Sequence, residues 1–434
     1  MAKSTKLGFW SIVLMGINII IGSGIFLIPG TGVKLFGPAS ILVLIFDAML
    51  IFMVGLCFAE CASHFSENGG AYVYTRKAFG NFWGYEVGIA TWATRIVAEA
   101  TIYAGLITAL SGVFPQLQNP GPKYALITVI GLALITINIM GIKISKVFNN
   151  ILTVSKLLPL LLLIGVGIFF LKPTNFQPFF PPEVTHMSNF STAAVTLFYV
   201  FVGFEGLVVV AGEMKNTKRN LPLALLVVLL SVTIIYSLIF AVSIGVLGSN
   251  LSNTPVPLQA VFSAIAGPTG KWIIVVGSIL SMGAIVVGSS FVTPRAGVAL
   301  ANHEMMPAFI KKTNKRDAPY VAIIISTCLV MLIAYSGTFV VLAQIASVAR
   351  FVQYIPTCLS VIRFRKIIDH DPNAFKVPFG IVIPVVATLV SLWLLINAKH
   401  EQLLLAIGFL LLVSPFYLLT NVRKNRAANN HETE

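Results

Sequence analysis

Charged residues are scarce in this sequence: only 10% of its 434 residues are Asp, Glu, Lys or Arg. Soluble domains carry about 25% charged residues, because water must solvate their surfaces. The scarcity excludes a soluble enzyme, a disordered scaffold and a small secreted module. The 57% of residues that are apolar run in long unbroken stretches, whereas a transmembrane β-barrel alternates apolar and polar residues. We therefore expect an all-α integral membrane protein.

Cysteine and histidine are also few, with four and six residues. All four cysteines lie in apolar runs, so we expect them to pack as small apolar side chains and not to form a disulfide between loops. They are Cys57, Cys61, Cys328 and Cys358. The histidines fall in predicted loops or the C-terminal tail, which excludes a histidine proton relay within the membrane. Metal-ligand spacings and nucleophile–base patterns are lacking, so we expect no metal, no cofactor and no enzymatic activity.

Twelve apolar runs, bounded by Gly, Pro, Asn and basic residues, are candidates for membrane-spanning helices. They cover residues 8–34, 39–61, 82–112, 123–141, 147–171, 190–213, 221–248, 271–301, 318–335, 339–363, 378–398 and 402–421. The first run begins without a small-residue cleavage site, so a cleavable signal peptide is not expected. The composition does not change along the chain, which predicts a single domain over residues 1–434.

The basic residues are distributed unequally between the two sides of the predicted membrane protein. Of the 29 Lys and Arg residues, 20 fall on the side of the chain termini, five on the other side and four within spans. Basic residues are enriched in cytoplasmic loops, so we expect both termini in the cytoplasm of a plasma-membrane protein. The net charge of +14 is accounted for in this way and does not indicate binding to nucleic acid.

The first and sixth runs contain glycines where a regular helix would be interrupted. The first contains Gly22 and Gly24, and the sixth contains Gly203 and Gly206. Each glycine costs about 1 kcal/mol relative to alanine in a helix interior. Unwound backbone within a membrane persists only where it lines a cavity or is otherwise satisfied. Paired breaks five spans apart are typical of transporters with inverted repeats, although close helix packing at small residues is an alternative.

Three segments resemble the amino acid–polyamine–organocation family of permeases. They are GSGIF at 22–26 followed by Pro29, SENGGAYVY at 66–74 leading to Ala78-Phe79-Gly80, and FVGFE at 201–205 followed by EMKNTKRNLP at 213–222. The resemblance covers nearly the whole chain and is weakest in the last two spans. It implies a LeuT-type fold with twelve transmembrane helices, of which helices 1 and 6 are broken at mid-membrane. The two inverted repeats of five helices would cover 8–171 and 190–366, with helices 11–12 at 378–421.

The resemblance implies an amino acid or related amine as the substrate, and the glycines suggest how it would be held. Backbone N–H groups of an unwound segment, at the positive end of the next half-helix, favour a carboxylate. This predicts a carboxylate site at Gly22, Ser23 and Gly24, with Ile25 next to it. The substrate ammonium would bind backbone carbonyls at Ile20 and within 199–202, beside Gly203.

Aromatic residues of the sixth span are candidates for the wall of a side-chain pocket. They are Tyr199, Phe201 and Phe204. By resemblance, Tyr199 and Phe201 occupy positions that cover the substrate. Contact with lipid or packing in the protein core remains an equal alternative for each. Tyr236 in the seventh span would gate the site or donate a hydrogen bond near it, or would simply pack in the core.

Lys156 lies about ten residues into the fifth span, too deep to reach the membrane surface easily. In the resembling permeases, a lysine of this span reaches toward the broken first helix and stands where sodium-coupled relatives hold a sodium ion. If the same is true here, transport does not require sodium. Proton-coupled symport and amino acid exchange are then the candidate mechanisms.

The remaining charges within the spans suggest internal pairing, because an unpaired buried charge is destabilising. Arg95 and Glu99 have the i, i+4 spacing of a helical ion pair, which we expect them to form; lining or gating the pocket is the alternative. Glu205 would carry a coupling proton or brace the break in the sixth span. For Arg350 we expect a carboxylate partner and no contact with substrate.

The sequence thus predicts a secondary active transporter that moves amino acids by alternating access. The apparent charge balance and the aromatic lining favour neutral amino acids. A cationic amino acid or polyamine antiporter of the same fold remains an alternative, and a channel is the alternative from another class.

Overall fold

A computed structural model describes residues 8–65, 70–141, 146–209, 214, 216–368 and 374–431. The regular elements in these ranges are helical, as expected. Parts of two motifs that carry the family resemblance, residues 66–69 of one and Glu213 and Lys215 of the other, lie outside the described residues. So does the end predicted for the sixth span, residues 210–213, and the fold is described from the remaining residues.

Fifteen α-helices are described, joined by short turns and 3₁₀-helices. In the first half they are α1 (Phe9–Ile20), α2 (Ser23–Phe36), α3 (Ser40–His64), α4 (Ala71–Phe79), α5 (Asn81–Ser111), α6 (Pro120–Ile139) and α7 (Lys146–Gly167). In the second half they are α8 (Met187–Phe198), α9 (Glu205–Val209), α10 (Thr217–Leu247), α11 (Pro257–Asn302), α12 (Tyr320–Ser336), α13 (Phe339–Ile367), α14 (Val382–Ile396) and α15 (His400–His431).

Several helical segments are long and apolar enough to cross a membrane. Six described segments meet both conditions. They are Ser23–His64, Asn81–Ser111, Pro120–Ile139, Arg219–Asn253, Pro257–Asn302 and Phe339–Ile367. Helices α14 and α15 form a bent pair, with an angle of 111° at their break, that would count as one more span. Helices α1 and α8 fall short because the backbone interrupts their runs, so the count of twelve spans remains a prediction.

Most predicted runs coincide with described helices, but α4 lies where the sequence predicted no span, and α11 begins earlier than predicted. Helix α4 occupies part of the predicted loop after the second span, and the nine residues Ala71–Phe79 contain no long apolar run that would reveal it. Helix α11 begins at Pro257, not at 271, and contains a kink at Ala266 and Gly267. The positive φ of Gly267, 60°, accounts for the kink because such a conformation is accessible mainly to glycine.

The helices pack in two groups that face each other. One group joins the N-terminal and middle parts of the chain, since α1 and α3 pack against α10, and α2 packs against α8. In the other group, α5 packs against α11 and α12, and α6 packs against α12. Helix α13 contacts members of both groups. The interrupted helices of the first group therefore face the long helices α5 and α11 of the second.

Candidate functional site

The backbone of the first predicted span is interrupted between α1 and α2. Ile21 is extended, with φ −71° and ψ 101°, and Gly22 is also extended, with φ −133° and ψ −150°. Helix α2 starts immediately afterwards at Ser23. Its first N–H groups have no partner within the helix, and no side chain caps them. The interruption expected from the glycines is therefore present, at the first glycine of the pair.

The sixth predicted span is interrupted as well. Helix α8 ends at Phe198, a 3₁₀ turn covers Tyr199–Phe201, and α9 begins at Glu205. Between them Gly203 has a φ of 120°, a conformation that L-residues with a side chain rarely adopt. A Cβ atom at Gly203 would also lie 3.0 Å from the carbonyl oxygen of Ile19. Glycine is thus required here both for its φ and because the two interrupted segments touch.

A cavity of about 470 Å³ lies where the two interruptions meet α5 and α11. Eleven of the residues predicted for the site line it. They are Ile20, Gly22, Ser23, Gly24, Arg95, Glu99, Lys156, Tyr199, Val202, Gly203 and Glu205. The structure therefore brings together residues that lie up to 185 positions apart in the chain, from Ile20 to Glu205. The cavity is large enough for a small organic molecule and combines apolar walls with exposed backbone groups.

Lys156 ties α7 to the end of α1. Its ammonium donates a hydrogen bond to the carbonyl oxygen of Asn18 and another, of 3.0 Å, to the carbonyl oxygen of Ile21. Both carbonyls belong to the interrupted first span. The side chain is only 2% exposed, so the cation is held inside the protein by backbone oxygens. The reach toward the broken first helix expected for this lysine is present.

Ser23 and Tyr199 join the two interrupted segments by their side chains. The two hydroxyl oxygens are 3.1 Å apart and form a hydrogen bond. The segments are also in close contact at Gly24, where an added Cβ would lie 3.0 Å from the Cα of Val200. The ring of Tyr199 packs edge-on against Phe339 at the start of α13, with centroids 5.7 Å apart. Ser23, Gly24, Tyr199 and Val200 all line the cavity, so these contacts hold its two interrupted segments together.

Glu205 is the centre of a polar network at the start of α9. One carboxylate oxygen pairs with the guanidinium of Arg350. The other accepts hydrogen bonds from the N–H of Gly203, at 3.2 Å, and from the hydroxyl of Tyr354, at 3.1 Å. The carboxylate partner expected for Arg350 is therefore found. The bond to Gly203 also shows that Glu205 braces the interruption.

The predicted ion pair between Arg95 and Glu99 is wrong in this structure. No ion pair joins the two among the described residues, although both line the cavity. Glu99 instead accepts a hydrogen bond of 2.7 Å from the Thr293 hydroxyl on α11. The partner of Glu99 therefore lies on the neighbouring helix α11, and not within α5 as the i, i+4 spacing suggested. Lining the pocket, the alternative weighed for these residues, is what the structure shows.

Four residues predicted for the site lie outside the cavity lining. They are Ile25, Phe201, Phe204 and Tyr236, all of them buried. Phe201 packs against Tyr236, with ring centroids 5.6 Å apart, because the 3₁₀ turn directs it away from the side occupied by Tyr199. The Tyr236 hydroxyl donates a hydrogen bond of 3.3 Å to the Ile20 carbonyl. Tyr236 therefore supports the interruption of the first span without lining the cavity.

The sequence did not identify the wall that α11 contributes. This wall consists of Ala284, Ile285, Gly288, Ser289, Val292 and Thr293. A cluster of small residues in the eighth predicted run was the available signal, but such clusters also occur where helices merely pack. The described residues contain no group of three or more His, Cys, Asp or Glu side chains placed to hold a metal ion. The site is therefore built from backbone groups, hydroxyls, two carboxylates and three cations.

Comparison with known proteins decides the family. The model of the amino acid permease family matches residues 7–419. The chain belongs to the amino acid permease family. It is similar to an uncharacterized transporter of Mycobacterium tuberculosis, with 31% identity over 93% of this chain and 89% of the relative. It is also similar to the branched-chain amino acid permease BcaP of Bacillus subtilis, with 28% identity over 98% of this chain and 95% of that one.

A third relative is the serine/threonine exchanger SteT of Bacillus subtilis, which is 27% identical over 90% of each chain. These relatives are transporters, and the match covers nearly their full length. These relatives and the apolar helices together identify this permease as a multi-pass membrane protein. The family resemblance drawn from the three sequence segments is confirmed.

Proposed function

We propose that this permease is a secondary active transporter that moves amino acids across the plasma membrane by alternating access. The observation that carries the proposal is the cavity where two interrupted helices expose backbone groups to one small space. Transporters commonly place their substrate at such interruptions near the membrane midplane. The proposal includes the LeuT-type arrangement: twelve spans, inverted repeats over 8–171 and 190–366, two further helices over 378–421, and both termini in the cytoplasm.

The start of α2 would bind the substrate carboxylate. The first N–H groups of a helix have no intrahelical partner, and the helix dipole adds positive potential there. Gly22 and Gly24 let the carboxylate approach the backbone, and the Ser23 hydroxyl supplies another donor. The substrate ammonium would bind carbonyl oxygens at Ile20 and in the turn 199–202. Both groups of the zwitterion would then be held mainly by backbone, as a site for many amino acids requires.

The substrate side chain would be neutral. The carboxylates that line the described cavity already have partners, since Glu205 pairs with Arg350 and Glu99 accepts from Thr293. A cationic side chain would have to displace one of these partners, and the displaced group would be left buried and unpaired. Apolar residues such as Ile285 and Val292 would instead contact a neutral side chain. The cationic alternative therefore requires a rearrangement of the cavity.

Sodium would not be required for transport. Lys156 places its ammonium between carbonyl oxygens of the interrupted first span, which is where a bound cation would otherwise satisfy them. Coupling to protons, or exchange of one amino acid for another, would supply the driving force. Glu205 and Glu99 are the candidate proton carriers, and Arg95 and Tyr236 are the candidate gating residues.

Counterflow in proteoliposomes tests this function. Vesicles that contain the purified permease are preloaded with one unlabelled neutral amino acid, and uptake of the labelled form is followed with vesicles free of protein as the control. We expect saturable uptake that the internal amino acid stimulates and that is unchanged when choline replaces sodium. A channel would give flux without this stimulation. Absence of uptake for all common amino acids would contradict the proposal, and a thermal-shift screen that includes polyamines would identify the substrate.

A further inference from the structure

A second cavity, of about 350 Å³, lies beside the first and shares no lining residue with it. We call it the outer cavity. The two cavities follow each other along α5: Glu99 lines the first, and Thr108 lines the outer one nine residues later, about 13 Å along the helix axis. The same order holds on α2, where Ser23 lines the first cavity and Leu27 lines the outer one.

A thin layer of side chains separates the two cavities. Phe339 lines the outer cavity and packs against Tyr199, which lines the central one. The Tyr199 hydroxyl also forms a hydrogen bond of 3.1 Å with the Ser23 hydroxyl. The layer is closed tightly on the α5 side, where a Cβ at Gly105 would lie 3.1 Å from the Cβ of Ser23. A molecule that leaves the outer cavity through this layer would arrive directly at the predicted carboxylate site.

Lys123 is the one charged residue among those that line the outer cavity. Its ammonium donates a hydrogen bond of 3.1 Å to the carbonyl oxygen of Gly337 and lies 5.9 Å from the ring centroid of Tyr124. An ammonium group has three N–H donors, so this contact leaves donors available. Thr31, Thr108 and other hydroxyl-bearing residues also line the cavity, and no carboxylate lies among its lining residues.

We infer that the outer cavity is a second binding site, which takes the carboxylate of an amino acid at Lys123. The inference rests on the proposed function for its ligand class and for the assignment of this side as extracellular. Apolar residues form much of the remaining wall, among them Leu27, Ile107 and Leu117. A single cation beside apolar walls suits a monocarboxylate with an apolar side chain, whereas a phosphate would be better held by several cations.

Labelling of a cysteine in the outer cavity tests the inference without a transport measurement. Gln118 is exposed and lines the cavity, so the variant Gln118→Cys in proteoliposomes offers a thiol to a membrane-impermeant maleimide. The chain without this cysteine gives the background. Leucine, leucine amide and chloride at equal ionic strength are compared for their ability to slow the labelling. Leucine amide keeps the side chain and the amine but lacks the carboxylate.

We expect leucine to slow labelling, and leucine amide and chloride to have no effect. Adding Lys123→Gln should raise the leucine concentration that gives half-protection by about tenfold or more, because a hydrogen bond to a charged group is lost. Lys123→Arg should restore protection. Lys34→Gln is the matched control: this lysine is exposed on the same side and does not line the cavity, so protection should be unchanged.

Three results would overturn the inference: no protection by leucine, equal protection by leucine amide or chloride, and protection that survives Lys123→Gln. Failure of this inference and failure of the proposed function can be distinguished. If counterflow succeeds while leucine gives no protection, the outer site is wrong and the transporter stands. If protection depends on Lys123 while no amino acid is transported, the outer site stands and the proposed function fails.

Discussion

Replacement of Gly24 by alanine tests whether the contact between the interrupted helices determines substrate binding. An added Cβ would lie 3.0 Å from the Cα of Val200 and 3.2 Å from Cδ1 of the Tyr199 ring. The nearer atom is backbone, so the strain cannot be relieved by rotating a side chain. Overpacking of this kind costs about 1–3 kcal/mol. Because alanine also favours the helix by about 1 kcal/mol, we expect a net cost of up to about 2 kcal/mol.

This cost should appear in the affinity for substrate, since Gly24 lies at the predicted carboxylate site. A cost of about 2 kcal/mol, the upper end of this range, corresponds to binding that is roughly 30-fold weaker. The measurement is binding of several amino acids to the purified permease by thermal shift or calorimetry. All of them should lose affinity equally, because they share the carboxylate. Gly24→Val should abolish binding altogether.

Gly165→Ala is the matched control for this experiment. Gly165 lies within α7, and an added Cβ there would meet no atom within 4 Å. The variant should bind as the parent does and be as stable or slightly more stable. Unchanged affinity of Gly24→Ala would refute the argument. A loss confined to amino acids with large side chains would also refute it, since Gly24 would then contact the side-chain end of the substrate.

Three other variants test separate contacts. Lys156→Ala should reduce transport about 100-fold at normal expression, because two charge-assisted hydrogen bonds worth about 3 kcal/mol together are lost; normal kinetics would remove this lysine from the mechanism. Tyr199→Phe removes the hydrogen bond to Ser23 and should speed substrate release from vesicles, whereas an unchanged rate would show that this bond does not close the cavity. Glu60→Gln breaks the bidentate pair with Arg365, at 2.6 and 2.7 Å, and should lower the Tm of the detergent-solubilised protein; an unchanged Tm would show that the pair adds no stability.

Structural features that depend on a short stretch of sequence were predicted correctly. The interruptions were found because glycine is unfavourable inside a helix, so paired glycines within an apolar run indicate a break. Lys156 was singled out because a deep lysine needs partners, whereas its reach toward the first span was implied by the family resemblance. The Arg350 partner followed from the cost of leaving a charge unpaired. Apart from the direction in which Lys156 reaches, each of these predictions depends on a local residue type and one physical requirement. None of them requires knowledge of the helix packing.

Features that depend on neighbouring helices could not be predicted. The Thr293 hydroxyl reaches Glu99 from a helix almost 200 positions further along the chain, so spacing within α5 was misleading. The orientation of Phe201 depends on a 3₁₀ turn, whose three residues per turn alter which side chains share a face. Helix α4 was missed because amphipathic helices at the ends of spans lack a long apolar run.

The contact at Gly203 constrains how this permease could change its specificity. A Cβ atom at Gly203 would lie 3.0 Å from the Ile19 carbonyl oxygen, so the two interrupted segments are in backbone contact and offer little room for new side chains between them. A change of substrate specificity would have to act on the opposite wall of the cavity. Residues there, such as Ile285 and Val292, can be exchanged without changing the contact between the interrupted segments. Relatives that transport different substrates should therefore differ most along α11. They should keep the interrupted segments that we propose to bind the zwitterion.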